Sequence, residues 1–136
     1  MDRFITNTLP SLPDIRDIPY SPKILPSQFA SSIDQMPNVE EVEDQGDVGS
    51  CVSNGALSQC EWIANSWGQH IDLSRMFAYT GCKDMEGRLP LDGLATRDIY
   101  KFLRKYGVMS ESVYPYDASK QYTRPPDAIY NSADMY

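Results

Sequence analysis

The sequence is poor in cysteine, histidine and positive charge, and each shortage excludes something. Three cysteines, Cys51, Cys60 and Cys82, in 136 residues are too few and oddly numbered for a disulfide framework. They predict a reducing compartment such as the cytoplasm, or a reactive thiol. Lys plus Arg is 12 against 19 Asp plus Glu, a formal charge of -7. The electrostatic attraction that draws proteins onto phosphate backbones is therefore missing, and no nucleic-acid partner is expected. No apolar run approaches the roughly 18 residues that span a bilayer, and the first residues offer neither a basic nor an apolar leader segment, so a soluble, unsecreted chain is expected. Metal-ligand spacings and phosphate-cradling glycine loops are absent, so neither a metal nor a cofactor is expected.

What is present is unevenly distributed. Six of the ten prolines, Pro10, Pro13, Pro19, Pro22, Pro26 and Pro37, fall in the first 37 residues, which rules out continuous helix there. Short apolar stretches lie between them (Ile15, Ile18, Tyr20, Ile24, Leu25, Phe29). Residues 1–44 thus predict an extended arm laid over a surface and ordered by contact. The acidic run Glu40, Glu41, Glu43 and Asp44 reads as a solvated segment.

Gln45-Gly46-Asp47-Val48-Gly49-Ser50-Cys51 is a glycine-containing loop that ends on a serine before an apolar periodic run, which is a helix start. Val52, Ala56, Cys60, Ile63 and Trp67 recur every three to four residues and predict a central amphipathic helix ending near Gly68, with Ala56, Cys60 and Ile63 buried. A short helix is expected from Ser74, then a loop over 83–92. A third helix is signalled by Ile99, Phe102, Leu103 and Tyr106, with Lys101, Arg104 and Lys105 in its last turn and Gly107 as its stop. Beyond Gly107 the chain is rich in tyrosine, proline and turn formers. No strand is expected there, and the tyrosines (Tyr114, Tyr116, Tyr122, Tyr130, Tyr136) predict an interface or a core edge.

A thiol in the first turn of a helix sits where backbone N–H groups favour thiolate and point at a developing oxyanion, which makes Cys51 the candidate nucleophile. Gln45, six residues earlier, can fold back over the loop and offer its amide N–H to the same oxyanion. His70 does not reach Cys51: the helix carries the chain about 24 Å away, and three extended residues return at most about 11 Å. Cys60 lies about 13 Å along the same helix, too far for a disulfide with Cys51.

With these residues in view, the chain resembles the papain-like cysteine peptidases, whose glutamine, glycine turn, Gly-Ser-Cys and long helix stand here as Gln45 to Cys51. Pro13-Asp14-Ile15-Arg16-Asp17, Leu25-Pro26 and Val42-Glu43-Asp44 are similar to the N-terminal arm of the bacterial and viral branch of that family. Leu73-Ser74, the Asp92-Gly93 loop and the Tyr106-Gly107 to Tyr114-Pro115-Tyr116 interval extend the likeness from about residue 12 to residue 117. Val48 and Val52 replace residues that secreted members usually have as cysteine and tryptophan.

The resemblance implies an α+β papain-like fold of which this chain is the mainly α left half. The expected divisions are an arm (1–44), a nucleophile-bearing half-domain (45–117) and a Tyr/Pro-rich tail (118–136) leading toward an absent β-rich half. It implies Cys51 as nucleophile, Gln45 in the oxyanion hole and Gly93 and Leu94 in substrate binding, with a peptide as substrate. It also implies that the catalytic histidine and asparagine come from a second polypeptide or missing segment, leaving this chain truncated and catalytically incomplete. The alternative expectation is a non-catalytic structural module contacting assembly neighbours, for example in a viral particle.

Overall fold

The computed structural model describes residues 8–21, 23, 28–39 and 41–133. The expectations that rest on Pro22, Ile24, Leu25, Pro26, Glu40 and Tyr136 lie outside the described residues. Strand β1 (Thr8–Leu9) is followed by a 3-10 turn (Met36–Asn38) and by helices α1 (Cys51–Ser66) and α2 (Arg75–Met85). Strand β2 (Leu94–Ala95) leads directly into helix α3 (Thr96–Tyr106), and a second 3-10 turn (Ala118–Lys120) precedes helix α4 (Asp127–Ser132).

The helix boundaries follow local chemistry. Ser74 Oγ accepts a hydrogen bond from the Phe77 amide and starts α2, as a capping serine should. Gly107, at φ 76°, stops α3, because that left-handed backbone favours a residue without Cβ. The start of α1 departs from expectation. Ser50 makes no capping bond to that helix; its hydroxyl instead pairs with the Tyr116 hydroxyl at 2.7 Å and accepts from Asn54 Nδ2 at 3.0 Å.

The central helix is α2 and not, as the periodicity predicts, α1. Every residue of α2 from Arg75 to Lys83 is buried, whereas α1 buries one face through Val52, Ser53, Ala56, Leu57 and Ala64. Cys60 is only half-buried, and Ile63 is exposed. The reason is that α1 meets α2 and α3 through the face that carries Val52, Ala56, Leu57 and Ala64, and its apolar stripe is wider than that face. Packing of α2 on α3 is close enough that Gly81 faces the Phe102 ring directly. Phe77, Phe102 and Tyr130 meet edge to face, with Phe77 centroids 5.4 Å from each of the other two, a geometry that suits ring quadrupoles. Tyr130 comes from α4, so the segment after residue 118 returns to the core.

Two further departures concern strands and the arm. β1 and β2 pair in parallel, Thr8 with Leu94 and Leu9 with Ala95, and Leu73 bridges Ser110; no residue pattern announces either. The apolar residues of the arm do not hold it down: Ile15, Ile18 and Tyr20 are each at least 90% exposed. Its contacts to the helices are polar. Among the described residues no helix is long and apolar enough to cross a membrane.

Candidate active site

Cys51 is the first residue of α1 and is half-buried, with its thiol free of any disulfide. The loop before it is tightly tied. Gln45 is turned onto the loop, its Nε2 donating to the Val48 carbonyl at 2.9 Å, and the Ser50 amide donates to that same carbonyl at 2.8 Å. The Tyr116 hydroxyl donates to the Gln45 carbonyl at 3.0 Å and in turn accepts from Ser50. Burial pushes the Tyr116 phenol above its ordinary value, so it keeps the proton it donates. Gly46, at φ 56°, makes the turn. One bond network therefore ties Gln45, Val48 and Ser50 to the head of α1, and Tyr116, 66 residues from Ser50, is its keystone. The Tyr-Pro-Tyr run was the signal for that residue, without revealing its partner.

Gly93 and Leu94 are buried at and beside the start of β2. The Gly93 amide donates to the Tyr79 hydroxyl at 3.4 Å, and Tyr79 and Tyr122 both donate to Asp92, at 3.5 and 3.0 Å. Beneath them the buried Lys83 ammonium donates to the Gln121 carbonyl at 2.8 Å and lies 4.5 and 4.6 Å from the Tyr79 and Tyr122 ring centroids. Burial pushes the Lys83 amine below its ordinary value, while Asp92 works the other way. These groups fix the corner at Gly93, whose φ of 81° is strained for any residue with a Cβ.

Sequence alone did not anticipate the other neighbour of Cys51. Thr8 Oγ1 shares a hydrogen bond with Cys51 Sγ at 3.2 Å, so β1 brings the arm onto the thiol. The remaining cysteines are unlike Cys51. Burial pushes the Cys82 thiol up to about 12, and burial followed by the charge of Glu61 raises Cys60 as well. Asn65 and His70 stand together at the far end of α1. Fourteen residues of helix separate Asn65 from Cys51, about 21 Å at the α-helical rise, and His70 is exposed in the loop beyond. Among the described residues no group of three His, Cys, Asp or Glu is arranged to hold a metal ion.

A family profile described as papain family cysteine protease matches residues 25–134. The crystal structure of xylellain, a cysteine protease from Xylella fastidiosa, is similar over 94% of this chain, with a TM-score of 0.79 and 28% sequence identity. The chain spans 54% of that structure's length. No curated protein matches the sequence.

These findings correct several expectations. The likeness is not confined to a mainly α left half ending near residue 117: it continues to residue 134, because α4 packs Ile129 and Tyr130 against the core instead of leading the chain away. The resemblance implies a histidine and an asparagine from a second polypeptide or missing segment, yet both residue types occur in this chain as His70 and Asn65. The expectations of a required second chain, of a truncated or catalytically inactive product and of a structural role in a viral particle are therefore not retained. With the profile covering most of its length, from the arm through α4, the chain belongs to the papain family of cysteine proteases.

Proposed function

We propose that this chain carries thiol-dependent cleavage of peptide bonds, with Cys51 as the nucleophile. The observation that supports it best is the half-buried Cys51 thiol at the head of α1, with Gln45 folded over the loop that leads into it. Cys51 Sγ as thiolate attacks the peptide carbonyl carbon, and the carbonyl π electrons move onto oxygen. The resulting oxyanion accepts hydrogen bonds from the Cys51 backbone N–H and from the Gln45 amide N–H not committed to Val48. Collapse breaks the C–N bond, the leaving nitrogen taking its proton from solvent water, and leaves a thioester; water then adds to that carbonyl and the C–S bond breaks, giving the carboxylic acid and the Cys51 thiol. Gly93 and Leu94 hold the substrate backbone along the β2 edge. His70 has no proton-transfer role in this reading, since the length of α1 keeps it far outside hydrogen-bond reach of the thiol.

Peptide aldehydes test this directly, because the thiol adds to the aldehyde carbon and the adduct carries the same oxyanion. We expect adduct formation on Cys51 by mass spectrometry, its complete loss in Cys51→Ser, and weakening of about 10- to 100-fold in Gln45→Ala. His70→Ala and Asn65→Ala should bind as the unmodified chain does. An adduct that survives Cys51→Ser would overturn the nucleophile. A loss in His70→Ala would bring His70 into the chemistry against the distance along α1.

A further inference from the structure

The reaction proposed for Cys51 makes no use of Lys83, a fully buried cation in the last turn of α2. Lys83 stands four residues after Tyr79, on the same face of that helix. An ammonium has three N–H donors and no acceptor. One donates to the Gln121 carbonyl at 2.8 Å, and the ring faces of Tyr79 and Tyr122 stand 4.5 and 4.6 Å away. All three neighbours present electron density, so they favour the charged amine over the neutral one. Burying a cation is nonetheless costly, and a methionine would fill the space between α2 and residues 121–122 without that cost. Packing alone therefore does not account for Lys83.

What the ammonium adds is direction. A cation attracts the face of a ring, and so fixes where the phenol hydroxyl at its rim falls. Both hydroxyls fall on Asp92, at 3.5 Å from Tyr79 and 3.0 Å from Tyr122, and the Tyr79 hydroxyl also accepts from the Gly93 amide at 3.4 Å. The next residue, Leu94, opens β2. One phenol ring is thus all that separates the ammonium from the start of that edge. Tyr122 is 49% exposed, so burial alone does not hold it over the corner.

We propose that Lys83 is a positioning residue for the substrate edge: through Tyr79 and Tyr122 its ammonium sets the corner at Asp92 and Gly93, and with it the register in which a peptide backbone lies along Leu94. Lys83 itself touches no substrate. The proposal rests on the reading that Gly93 and Leu94 hold the peptide that Cys51 attacks. It concerns peptide affinity and leaves the reactivity of the thiol alone, because the bonds that fix Gln45 and Ser50 run through Tyr116.

The experiment compares Lys83→Met and Tyr122→Leu with the unmodified full chain in three measurements. These are the concentration of a tri-leucine aldehyde that half-protects Cys51 from iodoacetamide, the iodoacetamide rate without aldehyde, and hydrogen exchange at the Gly93 amide beside that at Ile99 and Phe102 in α3. Lys83→Met should need about three- to tenfold more aldehyde and should speed Gly93 exchange, with the iodoacetamide rate within about twofold and exchange in α3 unchanged. Tyr122→Leu, altered at an exposed ring, should show the same pattern and supplies the test should Lys83→Met fail to fold. The double variant should lose no more affinity than the worse single one, since both act through one corner. Unchanged aldehyde affinity in both variants, or losses that add in the double, would overturn the proposal. So would a loss accompanied by faster exchange throughout α3, which marks general loosening. An aldehyde that fails to protect Cys51 in the unmodified chain, with Gly93 exchange still faster in Lys83→Met, would uphold the hold of Lys83 on the corner and overturn the reading of Cys51 as nucleophile.

Discussion

Arg75→Met is the sharpest test of how the head of the proposed site is held. Arg75 and Glu61 form a two-pronged ion pair between α2 and α1, Nη1 to Oε1 at 2.6 Å and Nη2 to Oε2 at 2.5 Å, with the side chains only 3% and 14% exposed. Glu61 also accepts from the Leu73 amide at 2.8 Å, and Arg75 donates to the Leu73 carbonyl at 2.8 Å and lies 3.7 Å from Glu43, two residues before Gln45. Removing the guanidinium leaves the Glu61 carboxylate largely buried and without a cation, a change that costs about 3–5 kcal/mol. Because Glu61 retains one backbone donor and some exposure, the lower end applies. For a chain of this size that corresponds to a fall of about 12 °C in Tm.

The pH dependence has a definite sign. Burial raises the Glu61 carboxyl above its ordinary value, outweighing the opposing effect of Arg75. The folded state therefore binds more proton than the unfolded one just above the ordinary value, and this group's contribution falls as pH rises through that window. Without Arg75 the rise is larger. The gap in Tm between Arg75→Met and the unmodified chain should then narrow from pH 7.5 to pH 5. Thermal and urea unfolding followed by circular dichroism measure both effects, and Arg75→Met/Glu61→Leu, which removes the stranded charge, should recover to within about 1 kcal/mol of the unmodified chain. A loss below about 1 kcal/mol in Arg75→Met, or a double variant no better than the single, would refute the claim that desolvated charge governs this contact.

Two further outcomes are expected. With its thiol pushed up to about 12 and fully buried, Cys82 holds some thousands of times less thiolate at neutral pH than an ordinary cysteine near 8.5, so iodoacetamide should modify Cys51 first and Cys82 last; peptide mapping that finds Cys60 or Cys82 ahead of Cys51 contradicts this. Gly81→Ala would set a Cβ 2.5 and 2.7 Å from two Phe102 ring carbons, an overpacking cost of about 1–3 kcal/mol set against a helix-propensity gain of about 1 kcal/mol. The urea midpoint should fall and should recover when Phe102→Leu is added; a midpoint that rises in Gly81→Ala alone would mean that α2 and α3 are not in that close contact.

The amino-acid sequence by itself determined what depends on near neighbours. The glycine turn and helix start put Cys51 at the head of α1, Gln45 lies six residues before it, Ser74 caps α2, and Gly107 ends α3 after the apolar row of Ile99, Phe102 and Leu103. Each is a choice of backbone angles or one helical face, settled within a few residues. The tertiary structure decided what depends on residues far apart in the chain. Ser50 left its capping role because Tyr116 offered a better-placed buried partner. Ile63 stayed partly in solvent because it lies off the face of α1 that packs on α2 and α3. Tyr130 returned to the core although no periodicity marks a six-residue helix. Two-residue strands carry no alternating pattern, so the pairing of Thr8 with Leu94, 86 positions apart, shows only in the tertiary structure. The arm's polar hold on Arg97 was hidden for a related reason: its apolar residues suggested burial, while the contacts that anchor it are made by Ser11, Asp14 and Asp17, side chains that local sequence reads as turn formers.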